Sequence, residues 1–182
     1  MKKYIFIIII LLSACFANGQ QANSHISGNS LNKILDLLEE NELEKYPNDT
    51  IFRFLWIGYY GRSHNPISIS ISKSNKDIKL IYKFLTYCKK TKSDKLISDS
   101  VSLNLKDWIV FNEKLRETCF WELPLYENSA KVIMDGSIWF FEGKNLNKYR
   151  RIKRETESSE IYDLSIFLIN KSKIKLKKKE FY

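Results

Sequence analysis

The feature that most constrains the fold is a strict alternation of isoleucine and serine in the first half of the chain. Residues 67–72 read Ile-Ser-Ile-Ser-Ile-Ser. A period of two residues places every isoleucine on one side of an extended strand, so this segment is predicted to be a half-buried strand. A second alternating segment, residues 78–85, follows after a turn at residues 74–77. Because so short a connection cannot cross over a sheet, the two strands are expected to pair antiparallel.

The other periodic segments extend this pattern to the whole chain. In order, they predict a helix capped by Ser30, strands at 50–57 and 97–105, a helix capped by Asn104, two strands flanking Asp135-Gly136, a strand at 149–153 and a helix from about Glu160. Single strands and helices do not alternate, so a doubly wound sheet is not expected. We predict the α+β class, with a mainly antiparallel sheet and helices packed on one face.

The beginning of the chain has the pattern of an export signal. Lys2 and Lys3 precede an apolar run at residues 5–12. The basic start and the short apolar run are typical of a signal peptide, and a membrane-spanning helix would need about 20 apolar residues. We therefore predict a signal peptide at 1–14, a tether of small and polar residues at 15–29, and a single α+β domain at 30–182.

Two cleavage sites compete at the end of this signal. Leu12-Ser13-Ala14-Cys15 resembles the lipobox of bacterial lipoproteins. The resemblance implies cleavage before Cys15, a lipid on its thiol and a protein anchored at the cell envelope. Ala17-Asn18-Gly19 is a small-x-small site, and cleavage there would release a soluble periplasmic or secreted protein. The lipobox is the favoured interpretation, because all of its positions fit.

The sequence leaves open whether two of the cysteines form a disulfide. The three cysteines are Cys15, Cys88 and Cys119. If Cys15 is lipidated or removed, the other two enter an oxidising compartment, in which a Cys88–Cys119 disulfide can persist. Two separate, half-buried thiols are the alternative. Neither has a histidine near it in the sequence, which disfavours a cysteine nucleophile.

The chain is basic, with a formal net charge of +9. Loss of Lys2 and Lys3 leaves 28 basic and 21 acidic residues, which gives +7. Basic residues concentrate at 148–154 and 171–179, where they can contact anionic lipid headgroups or nucleic acid. A solvated, lysine-rich face is the favoured interpretation, and export makes nucleic acid an unexpected partner. The expected partners are the membrane, through a lipid on Cys15, and a protein.

Most common catalytic patterns are missing from the sequence. It has no P-loop and no dinucleotide fingerprint, and its histidines are limited to His25 and His64. We therefore expect no cofactor and no metal. The remaining catalytic candidates are the acids Glu122, Asp135 and Glu142, which could act as in glycosidases, and the polar loop around His64. Ordinary turn and loop positions explain these residues better, so no catalytic residue is assigned.

Aromatic residues suggest an interaction surface. On a strand, Trp139 and Phe141 share one face and Phe140 takes the other. Either both faces of that strand are covered, or one face is exposed to a partner. In the second case Trp121, Trp139 and Phe141 are the candidate interaction surface.

One set of motifs resembles a known group of proteins. It comprises Phe120-Trp121-Glu122-Leu123-Pro124, then Asp135-Gly136-Ser137-Ile138-Trp139, Glu142-Gly143, Tyr149 and Arg154. This pattern is similar to that of an uncharacterised family of small bacterial proteins. The resemblance covers about a third of the chain and implies no activity. It departs from the family after Arg154, where a proline often follows and this chain has Glu155.

Three classes of function remain open. The first is a non-enzymatic lipoprotein of the cell envelope, whose sheet domain binds another protein or envelope component. The second is an immunity or inhibitor protein that neutralises a toxin or enzyme, and the net charge would favour an acidic target. The third and least favoured is an envelope hydrolase that uses the acids named above or the loop around His64.

Overall fold

The computed structural model describes residues 28–46, 50–58, 66–75, 77–126, 137–155 and 160–175. The elements within these ranges are α1 (Gly28–Leu37), a 3-10 turn (Leu43–Lys45), β1 (Thr50–Ile57), β2 (Ile67–Lys73), β3 (Ile78–Cys88), β4 (Ser93–Leu103), α2 (Leu105–Glu117), β5 (Ile138–Asn145), β6 (Lys148–Arg154) and α3 (Tyr162–Lys171). The predicted signal peptide and most of the predicted tether lie outside the described residues.

The chain divides into two compact units, Met1–Lys33 and Ile34–Tyr182. Of the first unit, only the start of α1 is described. Every strand that the structure describes belongs to the second unit. None of the described helices is long and apolar enough to span a bilayer.

The six described strands form one antiparallel sheet in the order β4-β3-β2-β1-β5-β6. β1 lies inside the sheet, with Phe54 opposite Ile69 of β2 on one side and opposite Phe141 of β5 on the other. The chain therefore leaves the sheet after β4, forms α2, and returns to pair with β1. This architecture confirms the predicted α+β class and its antiparallel sheet.

One face of the sheet, here called the core face, carries Phe52, Phe54 and Trp56 of β1. Because side chains alternate along a strand, these three point the same way. The helices α2 and α3 pack on them through apolar side chains, namely Trp108, Phe111, Leu115, Leu164, Phe167 and Leu168. The rings of Phe52 and Phe111 lie 5.2 Å apart, centroid to centroid. Burial of each such side chain stabilises the fold by about 1.5–3 kcal/mol.

The other side of the sheet, here called the second face, carries Arg53, Leu55 and Ile57 of β1, and all three are buried. Residues 39–46 reach over this face. The Lys83 Nζ atom of β3 donates a hydrogen bond to the carbonyl oxygen of Glu39 at 2.6 Å, and the 3-10 turn contacts β5. Both faces of the central strands are therefore covered.

Cover on both faces explains why β2 is more buried than its sequence predicts. Its isoleucines are buried on the core face, as expected. Ser68 and Ser70 are buried as well, because they lie on the second face beside Arg53 and Leu55. The alternation therefore predicts the strand and its orientation, whereas the burial of its polar side depends on residues distant in sequence.

The helix ends agree with the sequence in one case and differ in another. Asn104 caps α2: its Oδ1 accepts a hydrogen bond from the Asp107 backbone N–H at 2.9 Å, and its own N–H donates to Asp107 at 3.2 Å. This reciprocal pair is a capping box. In contrast, α1 begins at Gly28 rather than after a Ser30 cap. The predicted Asp135-Gly136 turn lies outside the described residues.

Candidate functional site

The most concentrated group of charges in the described part of the chain surrounds Glu142, one of the acids considered above and not assigned a catalytic role. Glu142 lies on β5, opposite Arg53 of β1 and Arg151 of β6. Arg53 Nε donates to its Oε2 at 2.6 Å, while Arg151 Nε and the Tyr149 hydroxyl donate to its Oε1 at 2.7 and 2.8 Å. Both Glu142 and Arg53 are fully buried.

The partners of Glu142 determine its protonation. Burial, the largest single influence, would raise the pKa of this carboxyl. The charges of Arg53 and Arg151, together with the hydrogen bonds from Arg151 and Tyr149, outweigh burial and hold the pKa below its ordinary value. Burial and the negative charge of Glu142 raise the pKa of the Tyr149 hydroxyl, which stays protonated and donates. A carboxylate that is ionised and satisfied by three donors is a poor general acid or base. Glu142 is therefore a structural ion.

Arg53 extends this network to the segment that covers the second face. Its Nη1 atom donates to Glu40 Oε2 at 3.1 Å and to the Asn41 carbonyl oxygen at 2.8 Å. Glu40 in turn accepts a hydrogen bond from the Ser68 hydroxyl at 3.0 Å and lies 3.4 Å from Lys83 Nζ. We call the set Glu40, Arg53, Glu142, Tyr149 and Arg151 the Glu142 network. It joins residues 39–46 to the sheet.

Of the other residues considered as catalytic candidates, the structure describes Glu122, which does not join this network. Glu122 is exposed in the segment after α2. Asp135 and His64 lie outside the described residues. Within the ranges that the structure describes, no three His, Cys, Asp or Glu side chains come close enough to hold a metal ion. The described residues thus supply no assembled acid pair of the kind that the hydrolase hypothesis requires.

The predicted aromatic interaction surface is wrong for two of its three members. Trp139 and Phe141 are both 0% exposed, and Trp139 lies 5.1 Å from Phe54, between ring centroids. Trp121 is partly buried and packs on the core, with its ring 5.1 Å from that of Phe120. The physical reason is that helices cover the core face of β5. Three consecutive apolar aromatics on one strand are the signal that favoured this outcome, because both of its faces then need cover.

Of the two alternatives that the sequence leaves open for Cys88 and Cys119, the structure has two separate thiols, since both cysteines are free. Cys88 ends β3 at the tip of the hairpin, opposite Ser93. Hydrogen bonds from Thr91 and the nearby backbone lower the pKa of the Cys88 thiol. Cys119 is exposed, in the turn that follows α2. The two residues belong to different parts of the fold, and sequence alone does not show that separation.

Several described residues of the resemblance motif pack together. Gly143 of β5 lies beneath the Phe120 ring, and a Cβ atom there would come within 2.6 Å of Phe120 and 2.8 Å of Phe52. Arg150 donates to the Leu123 carbonyl oxygen. Arg154, which is fully buried, donates to the Pro124 carbonyl oxygen at 3.1 Å and to Glu160 at 2.8 Å. These contacts fix the segment after α2 against β5 and β6.

The two edges of the sheet differ. At the β6 edge, the Lys153 N–H donates to the Leu125 carbonyl oxygen at 2.8 Å, and Tyr126 forms a parallel bridge with Lys153. At the other edge, β4 pairs along its eleven residues with β3, and no described strand lies on its outer side. The β4 edge is therefore the one long edge of the described sheet that a further strand can join.

The hairpin of β3 and β4 also projects past the rest of the sheet. The last pair between β2 and β3 is Ile67 with Phe84, whereas β3 and β4 stay paired as far as Cys88 and Ser93. Tyr87 in this extension is 59% exposed. This extension of the hairpin therefore has an exposed aromatic side chain on one face.

Comparisons with protein-family models, with curated proteins and with solved structures found no match for this chain.

Proposed function

We propose that this protein is an exported module of the cell envelope that binds another protein chain by strand addition at the β4 edge and catalyses no reaction. The observation that carries the proposal is the β4 edge, eleven residues long, on whose outer side no described strand lies, whereas the β6 edge is bridged at Lys153. The anchor in this proposal is a lipid on Cys15. A soluble form, cleaved after Gly19, would bind in the same way.

An open edge binds through its backbone. The outward N–H and C=O groups of an edge strand form hydrogen bonds with an added strand, and side chains on the two faces select its sequence. Proteins usually protect such edges with proline, with several charges or with short strands. β4 is long and has no proline between Ser93 and Leu103. Its three charged residues, Asp94, Lys95 and Asp99, are of mixed sign and include a single lysine.

The Glu142 network supports the non-enzymatic part of the proposal. Its carboxylate is enclosed by Arg53, Arg151 and Tyr149, and it is fully buried. A substrate would have to displace these donors before it could reach the carboxylate. The network instead supports a rigid sheet, and a rigid edge strand loses less conformational freedom when it pairs with a partner.

The proposal is tested by capture from solubilised envelope. The lipidated chain carries an affinity tag at its C-terminus, and bound proteins are identified by mass spectrometry at moderate salt. The Ile97→Lys variant places a charged lysine side chain in the middle of the edge strand, where an added strand would have to pack against it. The matched control is Ile109→Lys, since Ile109 is 49% exposed on α2 and away from the strand.

We expect the wild type and Ile109→Lys to capture the same protein in saturable amounts, and Ile97→Lys to lose it. Equal capture by Ile97→Lys, with circular dichroism showing that the variant is folded, contradicts the role of the edge. The intact mass of the purified chain tests the anchor. A mass that lacks acyl chains and corresponds to a chain starting at Gln20 contradicts lipidation of Cys15.

A further inference from the structure

We propose that the partner of the β4 edge is a second copy of this chain, with the two β4 strands paired antiparallel about Ile97. The inference rests on the proposed function, because it names the occupant of the same edge. Lys95 and Asp99 stand on either side of Ile97 at equal spacing, so a two-fold axis at Ile97 brings each cation of one copy opposite an anion of the other. The two six-stranded sheets would then join into one.

The side chains involved lie on the same face of the sheet. Lys95, Ile97 and Asp99 are opposite Thr86, Phe84 and Tyr82 of β3. Since side chains alternate along a strand, these residues of β4 all point to the core face. Two copies related by an axis perpendicular to the sheet keep their core faces on the same side. The three side chains of each copy therefore meet their counterparts directly.

In the antiparallel register about Ile97, both charged residues of β4 on the core face meet an opposite charge. Ile97 lies opposite Ile97 of the second copy, Lys95 lies opposite Asp99, and Asp99 lies opposite Lys95. On the second face, Leu96 lies opposite Ser98, and Asp94 lies opposite Ser100. Opposite charges directly across an antiparallel pair are favourable and like charges are unfavourable.

Neighbouring registers match less well. An axis at Asp99 sets the two Asp99 carboxylates against each other. An axis at Ser98 places Lys95 opposite Val101 and Asp99 opposite Ile97, so that each charge meets an apolar side chain. An isologous contact requires one strand to complement itself, and among these registers the axis at Ile97 meets that requirement best.

Asp99 is already held in place for this contact. Its Oδ1 atom accepts a hydrogen bond from the Ser100 backbone N–H at 2.7 Å, and its Oδ2 atom accepts one from the Tyr82 hydroxyl at 2.9 Å. These bonds, together with the charge of Lys173, lower the pKa of the Asp99 carboxyl. The carboxylate is thus ionised at neutral pH and oriented before a second copy arrives.

The test is a charge exchange read out as oligomeric state. The lipidated chain is purified in detergent, and its protein mass is measured by light scattering over a range of concentrations. In Lys95→Asp, each of the two ends of the contact has an aspartate of one copy opposite an aspartate of the other. In Asp99→Lys, each end has a lysine opposite a lysine. We expect the wild type to be a dimer and each single variant to dissociate about tenfold more readily or more. The double variant Lys95→Asp/Asp99→Lys restores opposite charges and should restore the dimer.

A control variant distinguishes the contact between the two copies from the hydrogen bond that Asp99 forms within its own chain. Tyr82→Phe removes the hydrogen bond to Asp99 but keeps its charge, so we expect the dimer to persist. The inference is overturned if the wild type is monomeric at about 100 μM, or if the double variant dissociates as readily as the single ones. A monomeric wild type that still captures another protein through the edge removes the second copy and leaves the proposed function standing. A monomer that captures nothing removes both.

Discussion

At the scale of single residues, the second face of the sheet depends on one ionised carboxylate. Glu142 is fully buried, and it accepts hydrogen bonds from two arginines and a tyrosine. Burial of charge is costly unless every charge is paired. Removal of the carboxylate would leave Arg53, which is also fully buried, with Glu40 as its remaining acid.

We expect Glu142→Gln to destabilise the fold by about 3–5 kcal/mol, because one partner of a buried ion pair is removed. Glu122→Gln is the matched control. Glu122 is exposed, so its free energy of unfolding should change by at most about 0.5 kcal/mol. Urea unfolding followed by circular dichroism measures both. A loss of less than about 1 kcal/mol in Glu142→Gln would contradict the structural role of this carboxylate.

The ionisation of Glu142 also makes the stability of the fold depend on pH. Burial raises the pKa of Glu142, but Arg53 and Arg151 outweigh burial and lower it in the folded chain. The resulting stabilisation is complete above the pKa of an unfolded glutamate, about 4.3, and it is lost as the pH falls through the lower folded value. The free energy of unfolding should therefore fall with acid more steeply in the wild type than in Glu142→Gln. Parallel curves for the two proteins would count against this assignment.

At the scale of elements, the sequence predicts what depends on neighbours in the chain. The alternation at 67–72 predicts β2, and the pair Asn104 and Asp107 predicts the start of α2. Pairing between β1 and β5 joins residues as distant as Phe54 and Phe141, and no local pattern specifies it. For the same reason, the sequence does not reveal that residues 39–46 cover the second face.

In the candidate site, too, the sequence predicts local features but not those that depend on distant residues. Glu142 can be singled out from the sequence as an acid among aromatics, but its role depends on Arg53, which lies 89 residues away. The alternative in which Trp139 and Phe141 reach solvent is wrong for a related reason. Their exposure is determined by α2 and α3, whose packing on β5 is not a local property.

The packing of the segment after α2 on β5 depends on the absence of a side chain at Gly143. A Cβ atom there would come within 2.6 Å of Phe120 and 2.8 Å of Phe52. Gly143→Ala should therefore destabilise the chain by about 1–3 kcal/mol, as overpacking does in other cores. Thermal unfolding measures the loss. If the contact with Phe120 causes it, Phe120→Leu should cost less in the Gly143→Ala background than in the wild type, and strictly additive losses would refute that cause.

At the scale of the whole molecule, the described sheet differs from side to side. Helices cover the core face, residues 39–46 reach over the second face, and the Leu125–Tyr126 segment contacts the β6 edge at Lys153. Along the β4 edge, no described strand lies on the outer side, and this is the edge at which we propose that a partner binds. This asymmetry agrees better with a module that associates with another strand than with one that encloses a small molecule.

The most direct test of this claim is to ask which chain lies beside β4 in the intact envelope. A photo-reactive residue replaces Ser98 on β4, and in a matched strain it replaces Glu113, which is exposed on α2. After irradiation of living cells, we expect the Ser98 position to form one discrete protein adduct and the Glu113 position to form none. A Ser98 position without an adduct, in a chain that is folded and exported, would contradict the claim that β4 is a binding edge.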